Sequence, residues 1–375
     1  MCYSKYIRLL ITSFELAFVF LGLVKAQINP NFDISLGLDY SAAEQTLDYF
    51  DRRIGNTKYV ADLRGNQLAS ATSVMLARTE KSENDFCDQL ELARDNTRFE
   101  SDVYGFSLAK NHVSELRTLL NEIKRRKLDR RIVATIASFF PEQAKIATRF
   151  PVYLVVIGNE RAVAFVRRVA WNNDTPTFVA EGKGEPVIVV NLARAIEGPP
   201  NVENQFIEVL STTAHECFHA AFSEMQKSLP NFIKPKNIAG QLLELVQNEG
   251  VAYDITMQTH LGGRTPSQEW FNATAKAIET LNQVLLELHS PNLTYSRARE
   301  LMMNANLSGS FEGNYGATAG MRMAYEIDNR LGRSTLTATL LNGGSAFITA
   351  YLQACNRASN LPQIDNRLLR LLNQK

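Results

Sequence analysis

Apolar residues recur at helical spacing through most of this chain, and the places where the period changes divide it into three stretches. SAAEQTLDYFDRRI (41–54), NQLASATSVMLARTE (66–80) and SLAKNHVSELRTLLNEIKRR (107–126) set apolar side chains three and four positions apart with polar or small residues between. That spacing predicts helices with one apolar face. RIVATIASFFP (131–141) continues the pattern. Then PVYLVVIGNERAVAFVRRVAW (151–171) and PVIVVNLARA (186–195) bring Val-rich runs, with NNDTPT and EGKGEP between them. They predict a small sheet with a hairpin-like turn at Gly158–Glu160. Helical spacing returns over 203–227, 237–258, 267–289 and 295–305. A Gly-rich segment (309–320) runs into a helix over 321–330, and 334–341 is followed by 344–355.

The fold class expected is therefore α+β and mainly helical. A helical N-terminal region (27–145) precedes a region (146–375) that holds the sheet (151–191), the helices of 203–258 and a helical C-terminal portion. No repeat, coiled coil or low-complexity linker interrupts it.

Charge narrows the partners. Forty Lys and Arg face 39 Asp and Glu, which removes any general attraction for nucleic acid or an anionic membrane. The one basic run, KRRKLDRR (125–132), reads as a solvated helix end. At the N-terminus, Lys5 and Arg8 precede LLITSFELAFVFLGLV, and Val24 and Ala26 are small residues placed for cleavage before Gln27. Residues 1–26 thus have the layout of a signal peptide, and the expected localisation is periplasmic or secreted. The uninterrupted apolar core, 16–24, is short for a membrane span, so no integral membrane association is expected once it is removed, an uncleaved anchor being the alternative. The mature chain would keep Cys87, Cys217 and Cys355, an odd set that argues against a disulfide scaffold. Cys217 reads as a small packed residue, and Cys87–Cys355 is the one bridge left open.

The candidate chemistry begins at AHECFH (214–219). His215 and His219 lie one helical turn apart on the edge of an apolar stripe, so both imidazoles can face one metal ion. Glu216 points about 100° away, placed to address a water without ligating the metal. On the next predicted helix Glu249 sits beside an apolar face, where a carboxylate is costly unless a cation meets it. Gly250 beside it allows a close helix approach. Glu244 and Glu224 are the alternatives to Glu249. His112, His260 and His289 have no comparable setting, and His260 reads as a helix-end residue before Gly262-Gly263.

HECFH followed by a helix bearing NEGVA (248–252) resembles the glutamate-zincin metallopeptidases, the gluzincins. The chain is similar in particular to uncharacterised, exported, mainly helical bacterial zinc-dependent peptidases with a Gly-Tyr-rich segment after the glutamate. The likeness is firm over 200–350 and looser before it. The interval from His219 to Glu249 is longer than in zinc aminopeptidases, and Asp254 falls one position later than the supporting aspartate of thermolysin-like enzymes. The resemblance implies one Zn2+ held by His215, His219 and Glu249, with Glu216 as general base. It also implies a tyrosine or histidine that stabilises the oxyanion. Tyr315, in SGSFEGNYGATAG (308–320), is the candidate, with Tyr253 and Tyr295 as competitors, and Arg322 is a possible partner for a substrate carboxylate. The expected function is hydrolysis of peptide bonds in a peptide or protein. Two other readings are an exported non-catalytic zinc-binding or scaffold protein, and a zinc hydrolase acting on another amide.

Overall fold

The change of period at 151 marks a real change of architecture. The computed structural model describes residues 32–77, 83–95, 102–180, 182–230, 234–306, 314–358, 360–365 and 367–368; the expected signal segment, 1–26, lies outside them. The first strand, β1 (Phe32–Asp39), precedes a run of helices: α1 (Ser41–Phe50), α2 (Thr57–Ala61), α3 (Arg64–Ala77), α4 (Glu83–Arg94), α5 (Phe106–Asn111), α6 (Val113–Arg125) and α7 (Leu128–Ala137). Then come β2 (Ile146–Val155), β3 (Ala164–Asn172), β4 (Thr175–Phe178) and β5 (Glu185–Asn191). The helices resume with α8 (Leu192–Ile196), α9 (Val202–Ser228), α10 (Ile238–Leu261), α11 (Gln268–Leu288), α12 (Tyr295–Asn304), α13 (Tyr315–Leu331) and α14 (Arg333–Asn356). The mainly helical α+β class, with a small sheet before the helix that carries His215 and His219, is as the sequence predicts.

The sheet order is β1-β2-β5-β3-β4. The hairpin expected at Gly158–Glu160 is not formed, because β5 lies between β2 and β3, parallel to the first and antiparallel to the second. Val187, Ile188, Val189 and Val190 are all fully buried, as a strand covered on both faces requires. The hairpin is instead β3–β4, turned by Asn173 and Asp174, both at positive φ (47° and 71°). Two consecutive left-handed residues make the tight turn whose twist suits paired strands. Strand β4 falls inside the stretch read as turn, and β1 is an element the helical reading passed over.

Among the helices, the single one expected over 107–126 is broken at His112, whose φ of −122° is not helical. Asn201, Asn237, Ser267 and Thr294 each accept a hydrogen bond from the backbone N–H three residues on. These caps satisfy donors that α9, α10, α11 and α12 would otherwise leave unpaired, at about 1 kcal/mol each. Gly262, left-handed at φ 54°, ends α10.

By contacts the chain divides into two compact units. One comprises Ile34–Ala134 and Thr148–Ala220, the other Thr135–Ala147 and the chain from Ala221 onward. In the first, Leu47, Tyr49, Leu68, Phe106 and Phe206 are buried around the sheet and its helices; in the second, Val246, Ile255, Leu281, Met323, Ile327 and Phe347 are. Helix α13 packs against α10, α11 and α14, and nearly every side chain of its first two and a half turns is buried. Residues 309–313 of the Gly-rich segment lie outside the described residues, but Gly316 and Gly320 belong to this helix. They were expected to allow tight turns and close backbone approach; the turns are absent at these two positions, which are helical, and the close approach is present. The expected break near 342 is present as a kink at Gly343, φ 77°. No described helix is long and apolar enough to cross a membrane.

Candidate metal centre

Helix α9 is buried on most sides. Phe206, Val209, Ala214, Cys217, Phe218, Ala221 and Met225 are all inaccessible or nearly so, which holds the helix rigidly and fixes where its few polar side chains emerge. His215 is buried and His219 half-buried. Their Nε2 atoms are 3.0 Å apart, with the rings edge to face. Two corners of a tetrahedron around a metal ion with bonds of about 2.0–2.1 Å lie about 3.3 Å apart. Two imidazole nitrogens this close can therefore face one shared cation.

Helix α10 supplies the third donor. Ligand atoms of His215, His219 and Glu249 all lie within 4.8 Å of one another. Asn306, just past α12, donates its Nδ2 to Glu249 Oε1 at 2.6 Å, the kind of outer hydrogen bond that orients a ligating carboxylate. Two neutral imidazoles and a carboxylate form a borderline donor set suited to a divalent ion such as zinc. The residues present therefore fit a metal ion.

Glycines hold α10 where the site needs it. A methyl group on Gly250 would come within 2.6 Å of the Gly320 Cα, and one on Gly320 would strike the Val246 carbonyl oxygen. The backbones of α10 and α13 touch there, one residue from Glu249. A turn and a half earlier, Glu244 accepts the backbone N–H of Gly344 at 2.7 Å. The kink at Gly343 breaks the helical hydrogen-bond ladder at this point, and the carboxylate takes the place of a missing acceptor.

Glu244 is thus engaged elsewhere, and Glu224 pairs with Lys227 at 2.5 Å; neither alternative to Glu249 belongs to the cluster. The other three histidines sit at helix ends, His112 and His289 as boundary residues and His260 in the last turn of α10. Burial, followed by the charge of Glu216, pushes the Cys217 thiol far above its ordinary value. It is a packed thiol, as expected. Cys87, Cys217 and Cys355 form no disulfide, so the Cys87–Cys355 bridge is not made.

Tyr315 is not presented as an oxyanion donor. Its hydroxyl donates to the Leu301 carbonyl at 2.8 Å, in a buried setting that pushes the phenol well above its usual range. A phenol has one proton, and this one ties the start of α13 to α12. Of the competitors, Tyr295 is 84% exposed, and Tyr253 packs against Met257, Leu261, Trp270 and Met321. Asn306 is the contributor that sequence reasoning missed, whereas the close backbone approach expected of the glycines around Tyr315 is made by Gly320. The glycine spacing 316/320 was a usable signal for a close helix contact; nothing local marked Asn306.

A protein-family model described as "Putative zinc dependent peptidase (DUF5700)" matches residues 57–360. The chain belongs to that family. The matched span takes in most of both compact units of this DUF5700 chain and all three residues of the candidate metal cluster. No curated protein and no solved structure matches it.

Proposed function

We propose that this DUF5700 chain is a gluzincin-type zinc peptidase, hydrolysing peptide bonds in a peptide or protein substrate. The observation that carries the reading is the convergence of His215, His219 and Glu249 to within 4.8 Å, from an HExxH helix and the helix that follows it. Structural zinc is normally closed off by four protein ligands, often with cysteine, whereas three ligands from His and Glu match a centre that keeps a position for chemistry. Bound zinc would supply a Lewis acid and an acidified water.

The chain's own groups divide the rest of the work. His215 and His219 present Nε2 atoms from one rigid turn, and Glu249, oriented by Asn306, brings the negative charge that offsets the cation. Glu216 follows His215 directly on α9 and is half-buried. It accepts a proton from the attacking water and passes it to the departing amine, as a positioned carboxylate can. We further propose export, on the basis of the basic, apolar and small-residue order of residues 1–26; mass spectrometry of the mature protein should find a first residue near Gln27.

The direct test is Glu216→Gln. The change is nearly isosteric, so the variant should fold and keep its metal, yet lose hydrolysis of a mixed peptide library by about 10²–10⁴-fold. Equal cleavage by both proteins would refute the assigned base. Absence of cleavage by a zinc-loaded wild type would refute the peptidase reading in favour of a binding protein or a non-peptide amide substrate.

A further inference from the structure

A cavity of about 540 Å³ lies along α11, α13 and the segment 360–362. Its floor is charged. Glu326 sits one turn from both Arg322 and Arg330, and their Nε atoms donate to its two oxygens at 2.9 and 2.6 Å. Arg322 and Glu326 are only 6% and 2% exposed. Two guanidinium groups against one carboxylate leave an excess positive charge beside a buried ion pair, with Arg330 reaching solvent, and a bound anion would offset it.

The arginines are held ready for one. Arg322 Nη1 donates to the Phe271 carbonyl at 3.3 Å and the Thr274 hydroxyl at 3.2 Å, and the guanidinium lies 4.5 Å over the Phe271 ring. Its plane is fixed before any ligand arrives, so little freedom is lost on binding. Arg322 Nη2 and both terminal nitrogens of Arg330 donate to no acceptor among the described residues. Around them Phe271, Tyr325 and Leu361 give the walls aromatic and apolar surface, interspersed with the amides of Gln268, Asn272, Asn329 and Asn360. The far wall is anchored as well, since the Tyr351 hydroxyl donates to the Pro362 carbonyl at 2.7 Å.

We propose that this cavity binds a carboxylate carried on an aromatic or aliphatic body, with Arg322 and Arg330 holding the carboxylate and Phe271 and Tyr325 flanking the body. One surplus positive charge matches a monoanion. A dianionic phosphate would leave net negative charge beside Glu326. The site stands independently of the peptidase reading, because no ligand of the metal cluster lines it. The carboxylate could belong to a small free acid or to the C-terminus of a peptide.

Isothermal titration of the full chain with N-acetylphenylalanine and with its neutral amide tests this. The acid should bind with one-to-one stoichiometry and the amide roughly tenfold more weakly or worse, the usual effect of losing charge-assisted hydrogen bonds. Arg330→Gln removes two donors, and Asn272→Asp sets a negative charge at the edge of the cavity. Both side chains reach solvent, so both variants should fold, and each should weaken the acid by about tenfold. Binding should be the same with metal loaded or stripped. Tighter binding of Ala-Ala-Phe than of N-acetylphenylalanine would assign the site to peptide termini, and equal or weaker binding to a free acid. The proposal is overturned if the amide or inorganic phosphate binds as well as the acid, if neither variant weakens it, or if binding vanishes when the metal is removed from protein that stays folded.

Discussion

Asn306 donates its side-chain amide to Glu249 Oε1 at 2.6 Å, so the carboxylate of the metal cluster is oriented from a residue 57 positions away in the chain. Replacing such an outer partner typically weakens metal binding by about 10–100-fold. Asn306→Ala should show that loss in a competition titration with a chromophoric chelator, while its thermal midpoint without metal stays near that of wild type, because Asn306 is exposed. Asn306→Asp should be worse, since two carboxylates would then face each other. Unchanged metal affinity in both variants would remove Asn306 from the site.

The cluster itself predicts a stoichiometry. Purified protein should carry one zinc per chain, and His215→Ala, His219→Ala and Glu249→Ala should each lose most of it. Glu244→Gln and Glu224→Gln should keep it, because those carboxylates are bound by Gly344 and Lys227. Metal analysis decides the matter: a full equivalent on His215→Ala would mean that the metal sits elsewhere.

Gly320→Ala tests how α10 is held. The added methyl would meet the Val246 carbonyl, and backbone cannot swing aside as a side chain can. Overpacking of this kind costs about 1–3 kcal/mol or more, which a urea titration should resolve. Metal affinity should fall with it. Gly55→Ala is the comparison, since nothing lies within 4 Å of a methyl there; it should be neutral within about 0.5 kcal/mol.

Asp254 predicts a pH dependence. It is fully buried on α10; Oδ2 accepts from Gln258 at 2.7 Å, and Oδ1 has no partner. Burial, and then the charge of Asp328, push its carboxyl up to about 8 against the opposing pull of Arg333 and Gln258. An unfolded aspartate titrates near about 4. Between those values the folded chain holds a proton that the unfolded chain has released, so this group's contribution to stability falls as pH rises toward 8. Asp254→Asn cannot ionise. Its thermal midpoint should gain on that of wild type from pH 5 to about pH 8 and hold that gain above it; parallel curves between pH 5 and pH 8 would contradict the assignment.

What could be read from the chain alone was what short-range periodicity determines. His215, His219 and Glu249 were legible because one helical turn places the first two and an anomalous carboxylate on an apolar face marks the third. The sheet was harder. That β5 inserts between β2 and β3 follows from pairing residues such as Val152 with Ile188 and Ala164 with Val190, which nothing near Gly158 reveals. FDISLGLD (32–39) did carry the alternation of a strand with one covered face, yet it is brief and stands beside helices. The setting of Tyr315 depends on distant residues in the same way. Dense glycine suggests turns when read locally, but here Gly316 and Gly320 lie in a helix where another backbone runs against it, and the Tyr315 hydroxyl donates to the Leu301 carbonyl.

The contact between Gly250 and Gly320 limits how this protein can vary. When a large residue packs on a small one, a change on one side can be answered by a change on the other. Here both partners are already the smallest residue available, so neither has anything left to give up. A selection for second-site suppressors of Gly320→Ala should return no compensating change at position 250, only true revertants or general stabilisers elsewhere. The two helices are locked at a separation that one carbon atom would spoil, and Glu249 of the candidate metal cluster sits beside that closest approach.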